Sequence, residues 1–568
     1  MFDCVRNIYR RRIFIKGFFR NRLWLIYVLF VPFILFDNIV TALLFERIFN
    51  YVSTPDIFTV NFVLKVIGSI VGIYFVMNIG KIIAKRTEFA IIQDGVKKLK
   101  DRLFLSILMR HPEQQKDTAT YTSLLLNDVS VLEKNYFSAL FEIGINLLIF
   151  LFSLIVMFSK SAKLSLILLV GVSLPILMTK VIEPIIVNKS KKWEQSYGKY
   201  THFIQDCFKG MTTIQNYSIE QETARQHGGL SSTVGRLLTS LNTVKESVSY
   251  ATFGLTFAIT LSVQLYGMFL VSQHELELGE VMAIIQLSNT VAYPLVSVFG
   301  MYAQLISTKN IRERIAENLE VEPMPEDVLD EEFNQLSCIH VNYQREEKQI
   351  LKNINLTIDK GEKVLIVGGN GAGKSTLLKV LQKKITDIEG DIYFNQHNVK
   401  SLSPKTLFKN IGFVLQNVFV FNKSVIYNIV FNDKFSKSEL DDIIELVGLN
   451  SLVNERGDEF IVGESGAYIS GGQKQRIEIA RALIRKRPIL FLDEAFSAID
   501  KQSSLKIENE LLKNKELTIA AIQHSINQEN LSLYHKVIVL KDGAVVEEGR
   551  PDELLQNNDS FLHTVLQS

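Results

Sequence analysis

Six long apolar stretches occupy the first 310 residues of the chain, and they constrain its fold more than any other feature. Each approaches or exceeds the ~20 residues that a helix needs to cross a ~30 Å hydrocarbon layer. A single such run is compatible with a buried helix of a soluble protein, whereas six in succession predict an all-α transmembrane domain over residues 1–310. The stretches cover residues 23–45, 62–80, 136–158, 164–186, 248–271 and 281–307.

Composition agrees with a membrane part joined to a soluble part. Of the 568 residues, 47% are hydrophobic and 21% are charged, and this length exceeds that of one ordinary domain. The formal net charge of +2 indicates no nucleic-acid partner, since such partners usually need a clustered basic excess. The three cysteines, Cys4, Cys207 and Cys338, have the spacing of neither a metal site nor a disulfide framework.

The connecting segments predict which ends of the spans face the cytoplasm. The first 22 residues are rich in Arg and Lys, which places the amino terminus inside by the positive-inside rule. The inner connections, 81–135 and 187–247, are then long and basic, and the outer ones are short. We therefore expect a multi-pass protein of the cell (inner or plasma) membrane, with the region after the last span also in the cytoplasm.

The two inner connections are too long for plain loops and contain few glycines or prolines. We expect the membrane helices to continue into the cytoplasm and to turn back there. The predicted turns lie near Tyr121 to Asp128 and near Lys209 to Gln215.

The pattern changes after residue 310. An acidic, proline-bearing linker is predicted over 311–332, and an α/β domain with a mostly parallel sheet over 333–568. Within it, the strand Val364 to Val367 runs directly into the phosphate-binding loop pattern G-x-x-x-x-G-K-[ST]. Its glycines let backbone N–H groups surround phosphates, and a helix N-terminus follows. The predicted nucleotide-binding residues of this loop are Gly368, Asn370, Gly371, Gly373, Lys374, Ser375 and Thr376.

Individual roles follow from the chemistry of this P-loop. Lys374 would pair with the β- and γ-phosphates, and Ser375 would ligate Mg²⁺. A second apolar strand, Ile489 to Leu492, ends in Asp493 and Glu494. Asp493 would hold the metal, and Glu494 would polarise the water that attacks the γ-phosphate. The cofactors predicted from these residues are ATP and Mg²⁺.

A further segment carries a family resemblance. Ile469-Ser470-Gly471-Gly472-Gln473 resembles the signature of ATP-binding-cassette (ABC) transporters, and it leads into a predicted helix, Lys474 to Arg485. The resemblance implies that ATP lies between two ATPase domains. Ser470, Gly471, Gly472 and Gln473 of one chain would then cap the nucleotide held by the P-loop of the other, again as a helix N-terminus offered to an anion.

The resemblance also assigns roles to residues elsewhere in the domain. Tyr343 stands in the position of the aromatic residue that stacks on adenine, and Gln416 in that of the glutamine that senses magnesium. Ser497 to Asp500 matches the loop that communicates across the dimer. His524 matches the switch histidine at the γ-phosphate. The catalytic residues implied are Glu494, His524, Lys374 and Gln416, and the metal ligands are Ser375, Gln416 and Asp493.

Six spans followed by one such domain resemble the half-transporter layout of ABC exporters. The resemblance implies ATP-driven export of a hydrophobic or amphipathic cargo (a drug-like compound, a lipid or a small peptide). The partner is a second copy of the chain or a homologous half-transporter. The two inner turns would be coupling helices, the one near Lys209 reaching the partner's ATPase domain.

The chain departs from the family pattern in two places. Phe460-Ile461-Val462-Gly463 stands where an acidic residue usually precedes the signature, which puts the role of that acid in doubt. Phe496 replaces a more usual threonine, a change that we expect to be tolerated.

Ionisable residues within the spans are candidate cargo contacts, because they are costly in a membrane. They are Asp37, Lys65 and Glu142. The alternative is that Asp37 and Lys65 pair with each other or contact water. Two other functions also stay open, a siderophore-type importer on the exporter fold and an ATP-regulated channel or receptor. A soluble ABC protein is excluded by the six spans.

Overall fold

The computed structural model describes residues 22–52, 59–110, 117–319, 331–523, 528–557 and 560–563. Contacts divide the chain into two units, one formed by Met1–Ile107 and Asp117–Glu320 and the other by Leu108–Lys116 and Val321–Ser568.

The first unit is built from long helices. All six predicted membrane stretches lie in helices that are long and apolar enough to span a bilayer, which confirms that prediction. The spanning helices are α1 Leu23–Tyr51, α2 Val60–Leu108, α3 Thr118–Lys160, α4 Ala162–Lys209, α6 Glu220–Ser272 and α7 Leu278–Ser307. Two further helices are α5 Met211–Asn216 and α8 Lys309–Leu319.

Several of these helices are much longer than a bilayer requires. The helix α6 has 53 residues, which at the usual rise per residue is about 80 Å, against a hydrocarbon layer of about 30 Å. The helices α2 and α4 are nearly as long, with 49 and 48 residues. These lengths agree with helices that continue beyond the membrane. The helix α6 packs along α4, and α7 packs along both α3 and α1.

One predicted inner turn is correct and the other is wrong. The short helix α5 interrupts the path between α4 and α6, as predicted near Lys209 to Gln215. In contrast, Tyr121 to Asp128 lies within the helical run Thr118–Lys160. Its Leu124–Asp128 portion is π-helical, a widened turn that absorbs polar residues without breaking the helix. The break lies earlier, after Leu108, where the chain approaches Pro112.

The ion pair that Asp37 forms within the membrane part is not the pair with Lys65 that the sequence suggested. Asp37 forms an ion pair with Lys81 at 3.0 Å, and not with Lys65. Lys65 is exposed on α2, and Glu142 is half-buried on α3. The ion pair joins α1 to α2, because the two charged groups stabilise each other at lower cost than either alone in an apolar environment.

The helix α8 occupies the start of the predicted linker. Its residues Ile315 and Ala316 are buried against α2 and α3 in the core of this unit. Arg314 pairs with Asp128 at 3.0 Å, and the Arg312 guanidinium lies 4.8 Å from the centre of the Tyr136 ring. The helical first unit therefore continues to Leu319 through an amphipathic helix. The linker residues 320–330 lie outside the described part of the chain.

The second unit contains two sheets. An antiparallel sheet has the order β2-β1-β4-β5, and a larger sheet has the order β10-β9-β3-β8-β7-β6 with β10 alone antiparallel to its neighbour. The strands are β1 Gln335–Arg345, β2 Lys348–Asp359, β3 Lys363–Val367, β4 Glu389–Phe394, β5 His397–Asn398, β6 Ile411–Val414, β7 Ile489–Asp493, β8 Thr518–Ile522, β9 Lys536–Lys541 and β10 Ala544–Gly549.

Helices cover the larger sheet and fill the segments between strands. They are α9 Lys374–Leu381, α10 Pro404–Asn410, α11 Val425–Val430, α12 Lys437–Leu446, α13 Asn450–Arg456, α14 Gly471–Ile484, α15 Lys501–Lys513, α16 Gln528–Leu531 and α17 Pro551–Gln556. The central strands are nearly continuous apolar runs, and every residue of β3 and β8 is buried. Parallel strands buried on both faces have this composition.

The order of the central strands positions the candidate site. The strands β3, β8, β7 and β6 are parallel neighbours, so their carboxyl ends meet at one edge of the sheet. Ligands of open α/β sheets usually bind at that edge. The residues that follow these four strands in the chain are Gly368, Gln523, Glu494 and, two residues beyond its strand, Gln416.

Candidate functional site

The loop after β3 has the backbone geometry of a phosphate cradle. Gly373 adopts a φ of 102° and caps α9, which begins at Lys374. Gly368 stands so close to β9 that an added Cβ would lie 2.1 Å from the carbonyl oxygen of Leu540. Only glycine fits there, and the loop brings its backbone N–H groups to the start of a helix, where an anion is favoured.

Backbone carbonyl groups hold the Lys374 side chain in this loop. Its side chain is 4% exposed, and its Nζ donates hydrogen bonds to the carbonyl oxygens of Gly368 at 2.7 Å and Gly369 at 3.1 Å. Burial lowers the pKa of this ammonium group, and the nearby Glu494 and Asp493 oppose that shift. A buried cation held by carbonyl groups is prepared for an anionic ligand, since phosphate oxygens would complete its coordination.

A cavity of about 540 Å³ opens over this loop. The structure brings six of the seven predicted P-loop residues together around it, with Gln416 and Glu494. The predicted residues that line the cavity are Asn370, Gly371, Gly373, Lys374, Ser375, Thr376, Gln416 and Glu494.

Other residues that line the cavity were not predicted from local motifs. They come from β2 and from the turn between β9 and β10, and they are Lys348, Gln349, Ile350, Lys352, Asp542 and Gly543. Lys348 and Lys352 add positive charge, which suits a polyphosphate. No local motif marks these residues, because long-range strand pairing brings them to the P-loop. Tyr343 is half-buried against the core of the antiparallel sheet and does not line the cavity.

Two side chains on the opposite wall of the cavity form a close pair. Gln416 Nε2 donates a hydrogen bond to Glu494 Oε2 at 2.6 Å. Glu494 has a φ of 49°, and its backbone N–H donates to the Ile522 carbonyl oxygen at 2.9 Å. A non-glycine residue in the left-handed region is uncommon and is found in functional sites. This backbone fixes where the carboxylate enters the cavity.

The oxygen donors around the cavity suit magnesium. Ser375 and Gln416 line it beside Glu494, and Asp493 ends the adjoining strand β7. Magnesium sites on nucleotides take hydroxyl, carboxylate and phosphate oxygens with few protein ligands. The described residues contain no group of three or more His, Cys, Asp or Glu side chains suited to a metal on their own. A magnesium ion at this site would need phosphate oxygens to complete its coordination.

The signature segment forms an open helix N-terminus. Ser470 caps α14 through a reciprocal pair with Gln473, in which Ser470 Oγ accepts from the Gln473 backbone N–H at 3.2 Å and Gln473 Oε1 accepts in return at 2.8 Å. Ser470 and Gly471 are exposed. Among the described residues, the signature does not contribute to the wall of the P-loop cavity.

The loop after Glu494 is tied to the signature helix. Gln475 Nε2 donates to Ser497 Oγ at 2.9 Å, and its Oε1 accepts from the Ala498 backbone at 2.8 Å. Arg476 pairs with Asp500 at 2.9 Å. Hydrogen bonds from Ser503 lower the pKa of Asp500, which caps α15. His524, the predicted switch histidine, lies outside the described residues.

One departure from the family pattern, Phe460 to Gly463, contributes to an exposed apolar face. Val462 is buried, and its backbone N–H donates to the Lys423 carbonyl oxygen at 3.0 Å. Ile461 beside it is exposed, as are Phe419, Phe421 and Tyr468. Exposed apolar patches of this kind mark protein-interaction surfaces. Phe496 packs half-buried against the core of the ATPase domain.

Comparison with known families identifies the chain. The ABC transporter transmembrane region matches residues 24–295, and the ABC transporter ATPase family matches residues 351–497. The chain is an ABC transporter. It is a half-transporter of the exporter type, with one membrane region and one ATP-hydrolysing domain in a single chain.

Curated relatives of this ABC exporter are about equally distant. The mitochondrial ATP-dependent permease MDL2 of Saccharomyces cerevisiae is 29% identical over 428 residues, which cover 72% of this chain and 55% of the permease. The chain therefore matches little more than half the length of that relative. The ATP-dependent lipid A-core flippase of Escherichia coli K12 is 27% identical over 420 residues, covering 72% of this chain and 71% of the flippase.

A solved structure shares the fold over almost the whole chain. It is a bacterial Atm1-family ABC exporter with ATP bound, with a TM-score of 0.82 and 19% identity. The match covers 96% of this chain and 98% of the other. The all-α membrane part followed by a P-loop ATPase domain is thus the exporter fold predicted from the sequence.

Proposed function

We propose that two copies of this chain export an amphipathic cargo, driven by ATP bound between their ATPase domains. One observation carries the proposal: each chain supplies two separate parts of a nucleotide site. Its P-loop cavity holds Lys374 and Glu494, whereas its exposed signature helix does not line that cavity. A helix N-terminus favours an anion, so the signature of a partner chain would complete the site.

The residues of one cavity divide the hydrolytic work. Lys374 neutralises charge on the phosphates, and Glu494 orients the attacking water toward the γ-phosphate. His524 steadies the γ-phosphate in the role that the family resemblance implies. Magnesium, when bound through Ser375, Gln416 and Asp493, supplies charge neutralisation. Gln416 already contacts Glu494, so it would link the metal to the carboxylate.

A homodimer is favoured over a heterodimer. A nucleotide site has a P-loop side and a signature side, and the chain carries the residues for both. Lys374 and Glu494 belong to the P-loop side, and Ser470 belongs to the signature side. Two identical chains would therefore form two competent sites around a two-fold axis. The role of α5 as a coupling helix to the partner's ATPase domain remains a prediction, as does the adenine contact of Tyr343.

The cargo is inferred from the membrane part. Exposed residues recur on one face of α7, at Asn289, Tyr293, Gly300 and Gln304. These residues are neutral, and most can form hydrogen bonds. In a membrane, a polar helix face is directed toward a cavity or another protein rather than toward lipid. A neutral polar face beside aromatic residues suits an amphipathic cargo, in keeping with a flippase and a permease among the relatives.

Cross-linking between chains tests the shared nucleotide site. We expect Asn370→Cys combined with Ser470→Cys to give a covalent dimer, of about twice 64.7 kDa, with a short thiol cross-linker and a non-hydrolysable ATP analogue. Cys4 and Cys207 are replaced by serine, and Cys338 remains because it is buried. The yield is measured on denaturing gels. Either single cysteine should give no dimer, and a yield indifferent to nucleotide would contradict a shared site.

Vesicle transport tests direction and cargo class. Proteoliposomes with the ATPase domain outside should accumulate a fluorescent phospholipid analogue or a cationic amphipathic dye in the lumen or inner leaflet when ATP is added. The control is the Lys374→Ala protein, which should not transport. ATP-driven loss of the probe from the vesicles would indicate import instead. Failure of both probes to move would show that the cargo class is wrong.

A further inference from the structure

A carboxylate is buried in the ATPase domain outside the nucleotide cavity. Glu508, on α15, is 2% exposed. Its Oε1 accepts hydrogen bonds from Gln523 Nε2 at 2.7 Å and from the Tyr534 hydroxyl at 2.8 Å. Its Oε2 accepts from Asn530 Nδ2 at 2.9 Å. The three donors are themselves buried, with 8%, 4% and 2% of Gln523, Tyr534 and Asn530 exposed.

The donors of this network are neutral. A fully buried carboxylate is rare and costly, and it is usually paired with a cation. In the part of the chain that the structure describes, the side-chain partners of Glu508 are these three neutral donors. Burial, followed by the charge and hydrogen bond of Glu508, raises the pKa of Tyr534 well above its ordinary value, so that this phenol remains a donor. An apolar side chain would fill the same space at lower cost.

The partners of Glu508 stand on both sides of one segment. Gln523 directly precedes His524 in the chain, at the end of β8. Asn530 lies on α16, which begins just after residues 524–527, and Tyr534 follows that helix. One carboxylate therefore holds the two flanks of the segment that carries His524.

Glu508 also belongs to the helix that follows the signature-linked loop. The helix α15 begins at its cap Asp500, and Asp500 pairs with Arg476 of the signature helix at 2.9 Å. Asp500 and Glu508 thus belong to one uninterrupted helix with its cap. Glu508 lies two turns beyond Asp500. The network thus connects the loop beside the signature to the flanks of His524.

We propose that Glu508 is a positioning residue for ATP hydrolysis, which fixes both flanks of the segment that carries His524 and ties them to the helix that begins after Asp500. This inference rests on the proposed function, in which His524 steadies the γ-phosphate. Glu508 touches neither nucleotide nor water in this scheme. It acts through Gln523 and Asn530.

The first test exchanges the carboxylate and the amide at the two ends of the hydrogen bond between Glu508 and Asn530. Glu508→Gln keeps the shape but directs an NH₂ group at the Asn530 NH₂ group, so the flank after His524 is released. Asn530→Asp in the same chain restores a donor and an acceptor. We expect Glu508→Gln to lower kcat for ATP about ten- to a hundredfold with KM changed little, since small misplacement of a reacting group has effects of that size. The double variant should recover most of the loss.

A second test separates positioning from stability. Glu510→Gln, an exposed change on the same helix, is the matched control and should leave kcat unchanged. If Glu508→Gln lowers only the melting temperature and leaves kcat at the wild-type value, positioning is wrong. Should the variant fail to bind nucleotide at all, Tyr534→Phe removes a single hydroxyl from the same carboxylate. That milder variant should also lower kcat, and an unchanged kcat would overturn the inference.

A double-mutant cycle distinguishes failure of this inference from failure of the proposed function. If Glu508 acts through His524, Glu508→Gln should have no further effect on kcat in a His524→Ala protein. Additive losses would show that Glu508 acts elsewhere and would overturn the inference, while leaving ATP-driven export intact. If His524→Ala alone turns over ATP at the wild-type rate, the hydrolytic scheme itself is wrong.

Discussion

Replacing Glu494 by glutamine is expected to lower steady-state ATP turnover by about 10²- to 10⁴-fold, the usual contribution of a positioned proton acceptor. The carboxylate enters the P-loop cavity from a left-handed backbone position and lies 2.6 Å from the Gln416 amide. Glutamine keeps the length and polarity of the side chain but cannot polarise water in the same way. ATP binding should therefore remain, and ATP should persist in the closed dimer. Phosphate release by purified protein in lipid nanodiscs measures the effect.

The same charge removal at an exposed helix position provides the control. Glu455→Gln, on α13, should leave turnover unchanged, because Glu455 is exposed and does not line the cavity. Nucleotide affinity, measured by a fluorescent ATP analogue, should agree within about threefold between the two variants, since Glu494 supplies no contact to phosphate in the ground state. Turnover close to wild type in Glu494→Gln would assign the water-activating role to another group.

Local sequence patterns predicted the framework of the nucleotide site. The strand before Gly368 and the strand before Asp493 are apolar runs of strand length, and each is followed by residues whose chemistry is specific to phosphate or metal. Parallel pairing then places their carboxyl ends together. The signature at Ser470 was predicted from the family resemblance, and in the structure Ser470 and Gln473 form a reciprocal pair at the start of its helix.

Contacts between distant segments could not be predicted in this way. Lys348 reaches the P-loop through pairing of β2, and Glu508 meets its donors across three separate elements. Neither position has a motif. The ion pair of Asp37 with Lys81 was likewise hidden, because hydropathy indicates that a helix spans a membrane but not how it is rotated against its neighbours.

Helix boundaries also depend on more than composition. Polar residues near Tyr121 to Asp128 resemble a turn, yet a π-helical turn keeps them within α3. Packing decides the outcome, because Val129 and Leu132 are buried against α2. The hydrophobic contacts of a long helix thus outweigh the weak local preference of Ser, Thr and Asn for turns.

Replacing Lys374 by alanine is expected to have a comparably large effect, but on binding as well as turnover. The ammonium group is buried and hydrogen-bonded to the carbonyl oxygens of Gly368 and Gly369. Loss of a hydrogen bond to a charged group costs about 1.5–3 kcal/mol, which corresponds to roughly ten- to a hundredfold weaker ATP binding. Turnover should fall further, by about 10²- to 10³-fold, because the same charge stabilises the transferring phosphoryl group. Lys379→Ala, an exposed change on the same helix, is the control.

The pH dependence of ATP binding provides a second test of the role of Lys374. In the nucleotide-free protein, burial lowers the pKa of Lys374 from 10.5. Bound phosphates would raise this pKa, because they favour the charged form of the side chain. At alkaline pH, ATP binding is then accompanied by uptake of a proton at Lys374. ATP affinity should therefore fall as the pH rises through the lowered pKa that Lys374 has in the nucleotide-free protein. Lys374→Ala should lose that component of the decline, and Lys379→Ala should keep it. Equal affinity and equal pH profiles in the two variants would mean that Lys374 does not contact the phosphates, and the proposed site would have to be abandoned.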